Sequence, residues 1–319
     1  MKNKLFIFTT LFVLASASFA QVKLRNALDY DNDDKADIAV FRQSDNTWYI
    51  NKSGGSSTFQ QFGNSHFDTV APGDYDGDTI GDIAVWRYTD RCWYRLLSQT
   101  ATVAITQFGL IGDEPVQRDY DGDGKTDIAI ARRNSGTNGA IVWWVLRSLD
   151  NGVTAYQFGI NTDFLAPGDY DGDGKFDFAI YRAGASTSTQ SYYYINRSSD
   201  NGFTIAPWGV GGDWVVPGDY DGDTKTDLAV ARRSTSATGA VVWYVLRSID
   251  GGVVTTPFGI TEYDTPIQND YDGDGKTDVA MWRETEGNFY ILKTTGGGAT
   301  SYVNWGFSTD QPLASYDVH

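Results

Sequence analysis

The hydrophobic pattern of this chain comes in short apolar runs that return at a nearly fixed interval. The string Asp-Tyr-Asp-Gly-Asp-Gly-Lys-Thr-Asp-Ile-Ala-Ile, or a near copy, starts at Asp29, Asp74, Asp119, Asp169, Asp219 and Asp270, at intervals of 45, 45, 50, 50 and 51 residues. A period of this length marks a repeat architecture. Each unit reads as a short extended segment, an Asp-rich loop, an apolar strand, a variable loop, an aromatic strand, a polar turn and a last strand. The aromatic strands carry Trp48-Tyr49, Trp93-Tyr94, Trp143-Trp144, Tyr193-Tyr194, Trp243-Tyr244 and Phe289-Tyr290. The last strands end on Phe62-Gly63, Phe108-Gly109, Phe158-Gly159, Trp208-Gly209, Phe258-Gly259 and Trp305-Gly306. No segment places apolar residues at helical spacing.

The second strand sets the fold class. It opens on Ile38, Ile83, Ile128, Phe178, Leu228 or Val279, and the next residue is always Ala (Ala39, Ala84, Ala129, Ala179, Ala229, Ala280). Successive side chains point to opposite faces of a sheet, so both faces are apolar. That suits a sheet sandwiched between two others. The expectation is an all-β propeller of six four-stranded blades. A truncated seventh start, Ser315-Tyr316-Asp317, leaves a seven-fold or irregular closure as the alternative. Residues 23–28 and 311–314 both read as a first strand, so one terminus is expected to complete the other's blade.

Composition adds a compartment. Lys2 and Lys4, an apolar run over residues 5–17, and Ser18-Phe19-Ala20 read as a secretory leader cut after Ala20. The run is too short to span a bilayer. The expected domains are therefore a leader at 1–20 and one propeller at 21–319. The product is expected to be secreted or periplasmic, with no membrane insertion after cleavage. Cys92 is the only cysteine, so no intrachain disulfide can staple the fold. A formal charge of −16 argues against nucleic acid as partner and suits cation binding.

The Asp-rich loops are the strongest chemical signal. In the third unit Asp119, Asp121, Asp123 and Asp127 occupy positions 1, 3, 5 and 9, and Lys125 can offer its carbonyl at position 7. Oxygen donors on alternate residues, with Gly124 at the sharp turn, match the spacing of an EF-hand-type calcium loop. The corresponding sets are Asp29, Asp31, Asp33, Lys35, Asp37; Asp74, Asp76, Asp78, Ile80, Asp82; Asp169, Asp171, Asp173, Lys175, Asp177; Asp219, Asp221, Asp223, Lys225, Asp227; and Asp270, Asp272, Asp274, Lys276, Asp278. Position 12 is apolar, so position 9 is expected to carry more of the coordination. Gly at position 6 is kept in units three, four and six, and replaced by Asp34, Thr79 and Thr224 in the others. Those three sites are expected to be weaker. Four carboxylates about 5 Å apart repel by roughly 5 kcal/mol per loop in a water-like dielectric, which a cation would relieve. Six Ca2+ ions would bring the formal charge from −16 to about −4 (−16 + 12). Magnesium, which holds its waters and demands an octahedron, fits less well.

The DxDxDGxxD loop between strands, preceded by an aromatic-Gly pair, resembles the FG-GAP/VCBS repeats of integrin α subunits and of many exported bacterial proteins. The resemblance covers nearly all of residues 23–319. It implies that the Asp positions ligate calcium on one propeller face and that the role is adhesion or ligand binding. Integrin propellers have seven blades, so the blade count does not carry over.

Three further features bear on function. An Arg falls thirteen residues after the first loop Asp in every unit: Arg42, Arg87, Arg132, Arg182, Arg232, Arg283. A feature present in every blade is expected to serve the blade, by stacking on the third-strand aromatic or pairing with an acid; the alternative is a ring of cations facing anionic sugars. Loops at 134–139, 183–190 and 234–239 are five residues longer than their counterparts and are candidate binding loops, with Arg133 and Arg233 adding charge. Most aromatics are expected in the core, with Trp86, Trp214 and Trp282 less regular. Catalysis has little support, because His66 and His319 are the only histidines and no nucleophile, zinc or phosphate motif is present. The expected role is a non-catalytic binding or adhesion module for an extracellular protein or glycan. The alternatives are a carbohydrate-binding lectin and a polysaccharide-active enzyme, lyase or glycosidase.

Overall fold

The computed structural model describes residues 27–136 and 138–314. The leader and the truncated seventh start lie outside them. The described chain forms six antiparallel sheets of four strands each, the six blades of a propeller. Its only helical element among the described residues is a single 3-10 turn, Thr295–Gly297. No helix of the described residues is long and apolar enough to cross a membrane.

Ring closure is six-fold, and both chain ends take part in it. The first blade takes its first strand from the C-terminal segment Asp310–Pro312, which pairs antiparallel with Ile38–Arg42 through Val40↔Pro312 and Arg42↔Asp310. Leu313 N–H donates to the Ala39 carbonyl at 2.9 Å, as Ala71 N–H donates to Ala84 in blade two at 2.8 Å. The N-terminal segment then takes over, with Asp37 N–H donating to the Leu28 carbonyl at 2.8 Å. The seven-fold alternative is thereby set aside.

The core lies between blades. The six second-strand alanines are all fully buried. So are Trp48, Trp93, Trp143, Tyr193, Trp243 and Phe289 of the third strands. Buried clusters mix neighbouring blades, as when Ala129 and Trp143 of blade three pack with Ile180 of blade four. Burying an aromatic body needs a partner for its polar edge. Trp48, Trp93, Trp143 and Trp243 each donate their indole N–H to the carbonyl of the aromatic that ends the fourth strand, at 2.9–3.2 Å. The glycine after that aromatic has φ between +76° and +123° in every blade, which is why the pair ends in Gly. Trp86 and Trp282 also belong to the core, 3% and 2% exposed.

The repeated arginines are structural. Each pairs bidentately with a buried Asp at the start of its blade's first strand: Arg87 with Asp68, Arg132 with Asp113, Arg182 with Asp163, Arg232 with Asp213, Arg283 with Asp264, at 2.7–2.9 Å. Each guanidinium also lies over the second third-strand aromatic, from 3.9 Å for Arg42 on Tyr49 to 5.4 Å for Arg132 on Trp144. In blade one the acid is Asp310, brought by the closing strand.

Candidate metal centre

In blades two to six the Asp loop tips the hairpin between first and second strands and is closed by an isolated bridge such as Arg118↔Asp127 or Gly168↔Asp177. In blade one, whose first strand comes from the C-terminal segment, the Asp37 N–H to Leu28 carbonyl bond closes the loop. The position-1 carboxylate organises the turn. Its Oδ1 accepts the N–H of position 4 at 2.6 Å, and its Oδ2 accepts the N–H of position 6 at 2.8–3.0 Å, in all six loops. Aiming both amides inward requires left-handed backbone at position 6. That φ is +83° to +84° at Gly124, Gly174 and Gly275, but also +65° at Asp34, +77° at Thr79 and +73° at Thr224. The three non-glycine loops hold the same turn under strain.

The remaining donors converge. Position-5 carboxylates accept the N–H of Lys35, Ile80, Lys125, Lys175, Lys225 and Lys276 at 2.9–3.1 Å. Position 9 is the most buried, and its two oxygens accept two backbone amides. One is that of the position-2 tyrosine (Tyr30, Tyr75, Tyr120, Tyr170, Tyr220, Tyr271) at 2.8–3.0 Å. The other belongs to a hydroxyl residue in the turn after the third strand, at 2.7–2.8 Å. Position 9 thus anchors the loop to its own blade as well as facing the cluster.

That hydroxyl residue is Ser53, Ser98, Ser148, Ser198, Ser248 or Thr294, and its side chain reaches the position-5 carboxylate at 2.5–3.0 Å. Sequence reasoning passed over it. The next residue in each turn donates its N–H to the position-3 Oδ2 at 3.0–3.2 Å.

The result is a set of all-oxygen clusters that could hold metal ions. Asp119, Asp121 and Asp127 place one oxygen each within 4.8 Å of the others, as do Asp169, Asp171 and Asp177, and Asp219, Asp221 and Asp227. In units one and two the grouping is Asp29, Asp31, Asp33 and Asp74, Asp76, Asp78. The donor set fits a hard cation, and one feature asks for it: the Oδ1 atoms of Asp31, Asp171 and Asp272 are buried with no hydrogen-bond partner. An ionised oxygen in that state is costly unless a cation faces it. Burial pushes position 9 up, to about 7 at Asp127, Asp177 and Asp278 and about 6 at Asp37, Asp82 and Asp227, with adjacent carboxylates adding to it and backbone amides opposing it.

The loops are also joined to one another. The position-8 N–H of each loop donates to the position-1 carbonyl of the preceding one: Ala36 to Asp270, Gly81 to Asp29, Thr126 to Asp74, Phe176 to Asp119, Thr226 to Asp169, Thr277 to Asp219, at 2.5–2.8 Å. Six bonds close a continuous ring around the propeller axis. The position-7 lysines lie across the neighbouring turn, so that a Cβ at Gly77 would come within 2.8 Å of the Lys125 side chain.

The long loops leave the second strand at its other end, opposite the Asp loops. In blade four the segment is shorter than anticipated, because Gln190 already begins the third strand. Arg133 is tied down by Glu114 and by the carbonyls of Asn161 and Asp163. Arg233 stacks over Trp214 at 5.0 Å. His66 is exposed beside Phe67, and Cys92 is a free thiol.

The fold and the loops define a class: a six-bladed β-propeller with recurring all-oxygen acidic loops. Residues 119–180, spanning loop three to the second strand of blade four, match the model of the FG-GAP-like repeat. No curated protein matches the sequence. Among solved structures, a streptogramin B lyase is 11% identical, with 91% of this chain and 85% of that one covered and a TM-score of 0.44. A catalytically inactive virginiamycin B lyase from Staphylococcus aureus with quinupristin is 11% identical, with 90% of each chain covered and a TM-score of 0.42. At those values neither bears on chemistry.

Proposed function

We propose that this is an exported, calcium-stabilised propeller acting as a non-catalytic binding or adhesion module. The observation that carries the reading is the six-fold recurrence of an all-oxygen cluster with buried, partnerless carboxylate oxygens in three of its copies. Calcium takes six to eight oxygen ligands in flexible geometry, which suits Asp side chains at positions 1, 3, 5 and 9 together with the position-7 carbonyl. When bound, the ion would neutralise the loop and lock the turn between first and second strands. Because the loops form one hydrogen-bonded ring, ordering one supports its neighbours. A partner, an extracellular protein or a glycan, would then meet a rigid frame. The absorption of the repeated arginines into blade-internal ion pairs favours this over a cationic groove for polysaccharide chemistry.

The test has two parts. The Asp121→Ala, Asp123→Ala double variant is expected to lower the melting temperature in calcium and to change little in chelator. Equal losses in both would sink the structural-calcium reading. A glycan array in millimolar calcium, with folded protein, decides between a lectin-type module and one that recognises protein.

A further inference from the structure

Repeats supply an internal control. A residue present in every blade serves the blade, and departures from the repeat need another reason. At the two positions before the first loop Asp, blades two, four and five carry Pro-Gly (Pro72-Gly73, Pro167-Gly168, Pro217-Gly218) and blade one Ala27-Leu28. Blade three has Gln117-Arg118 and blade six has Gln268-Asn269. Blades three and six are three apart in a ring of six, so these two polar pairs face each other across the axis.

Between them is a cavity of about 370 Å³ at the Asp-loop end. Its wall draws on all six blades, through Asp34, Pro72, Gln117, Phe176, Gly218 and Gln268 among others, which puts it on the axis. Gln268 is 1% exposed, and neither its amide nitrogen nor its amide oxygen has a hydrogen-bond partner. Leaving such a group unpaired forfeits the hydrogen bonds it made to water in the unfolded chain. A proline, as in three sister blades, would avoid that cost. Gln117, 8% exposed, donates one N–H to the Pro72 carbonyl at 3.3 Å, and a carboxamide has a second N–H and an acceptor to offer. Phe176 is a third departure, an aromatic where the other loops have Thr, Ala or Gly, and Arg118 lies 5.7 Å from its ring.

We propose that this axial cavity binds a small neutral polyhydroxylated ligand of monosaccharide size, gripped between the carboxamides of Gln117 and Gln268. A carboxamide donates and accepts at once, which matches neighbouring hydroxyls. Phe176 offers an apolar face to the C–H side of a sugar ring. The volume falls in the range of small-molecule sites. The wall mixes cations (Arg118, Lys125, Lys276) with the loop carboxylates, so it selects for no net charge. The cavity borders the ion clusters, since Asp74, Asp119, Asp219, Asp270 and Asp274 also line it.

The test is titration calorimetry of the folded protein, in calcium, against neutral hexoses, N-acetylglucosamine, glucuronate, glucosamine and short oligosaccharides. At least one neutral sugar is expected to bind. The Gln117→Pro, Gln268→Pro variant installs what sister blades already carry, so its melting temperature should hold, while affinity falls about tenfold or more for lost hydrogen bonds. Should that variant not fold, Gln268→Leu replaces it with the same expectation. Oligosaccharides binding better than free sugars would identify the end of a glycan as the source of the ligand. No neutral sugar binding, binding of charged analogues alone, or undiminished affinity in the variants would overturn the proposal. A failed calcium reading would show separately, as a melting temperature indifferent to chelator.

Discussion

Truncating Asp310 to Ala tests how the ring is held shut. The Asp310 carboxylate is fully buried and takes two bonds from Arg42, at 2.9 and 2.8 Å, plus the Phe307 N–H at 2.9 Å. The Arg42 side chain is only 15% exposed, so water does not easily replace the lost acid. Breaking a buried pair by removing one partner costs about 3–5 kcal/mol. The equivalent change in an interior blade, Asp163→Ala, leaves Arg182, whose side chain is 38% exposed and can rehydrate. That cost should fall toward the range of exposed pairs, about 1 kcal/mol or less. The closing pair therefore outweighs its interior copy by about 2 kcal/mol or more. Urea denaturation of both variants measures the difference, and amide exchange locates it: Ile38–Arg42 should exchange faster in Asp310→Ala only. Equal losses in the two variants, or no change in exchange over Ile38–Arg42, would refute the claim that the C-terminal strand is the clasp. A double change to apolar residues, Arg42→Met with Asp310→Leu, should recover much of the loss, because the ion pair itself contributes little beyond satisfying its own burial.

Two further outcomes follow from the loops. Thr224→Gly relieves a β-branched residue at φ +73° and should raise stability by about 0.5–1 kcal/mol, read in the same denaturation series. In chelator, stability should fall as pH rises from about 4 to about 7, because the position-9 carboxyls bind protons more tightly folded than unfolded, and that contribution is present below the ordinary carboxyl pKa and lost above the raised one. Melting curves at pH 5 and pH 7.5 decide it, and saturating calcium should remove the decline by holding the carboxylates ionised.

Much of this molecule was legible because repetition averages over local ambiguity. The second-strand alanines and the first aromatic of each third-strand pair recur six times, and each is buried where the alternation put it. The arginines were legible as structural for the same reason. Their partner acid was harder to see: it stands nineteen residues upstream in five units, but in blade one it is Asp310, 268 residues away, so the series looks incomplete. Ring closure has no periodic signal at all, since it joins two termini that each resemble a first strand. The loop hydroxyls were hidden by insertion. Ser53, Ser98 and Thr294 lie sixteen residues after the position-9 Asp, whereas Ser148, Ser198 and Ser248 lie twenty-one after it, the long loops displacing them in sequence but not in space. Gln117 and Gln268 were legible only as irregularities until the axis brought them opposite one another.

The clasp also orders events in time. A chain emerging from its N-terminus makes Ile38–Arg42 long before Asp310–Pro312, the strand that flanks it. Five blades can assemble as they appear, each from contiguous sequence, while the first stays one strand short with Arg42 lacking its acid. Completion is thus a single late event that depends on Asp310–Pro312 having arrived, and a product truncated before them is left with an unpaired sheet edge in its first blade. Such an edge is a ready template for another chain, so this architecture leaves Ile38–Arg42 open to wrong partners until Asp310–Pro312 covers it.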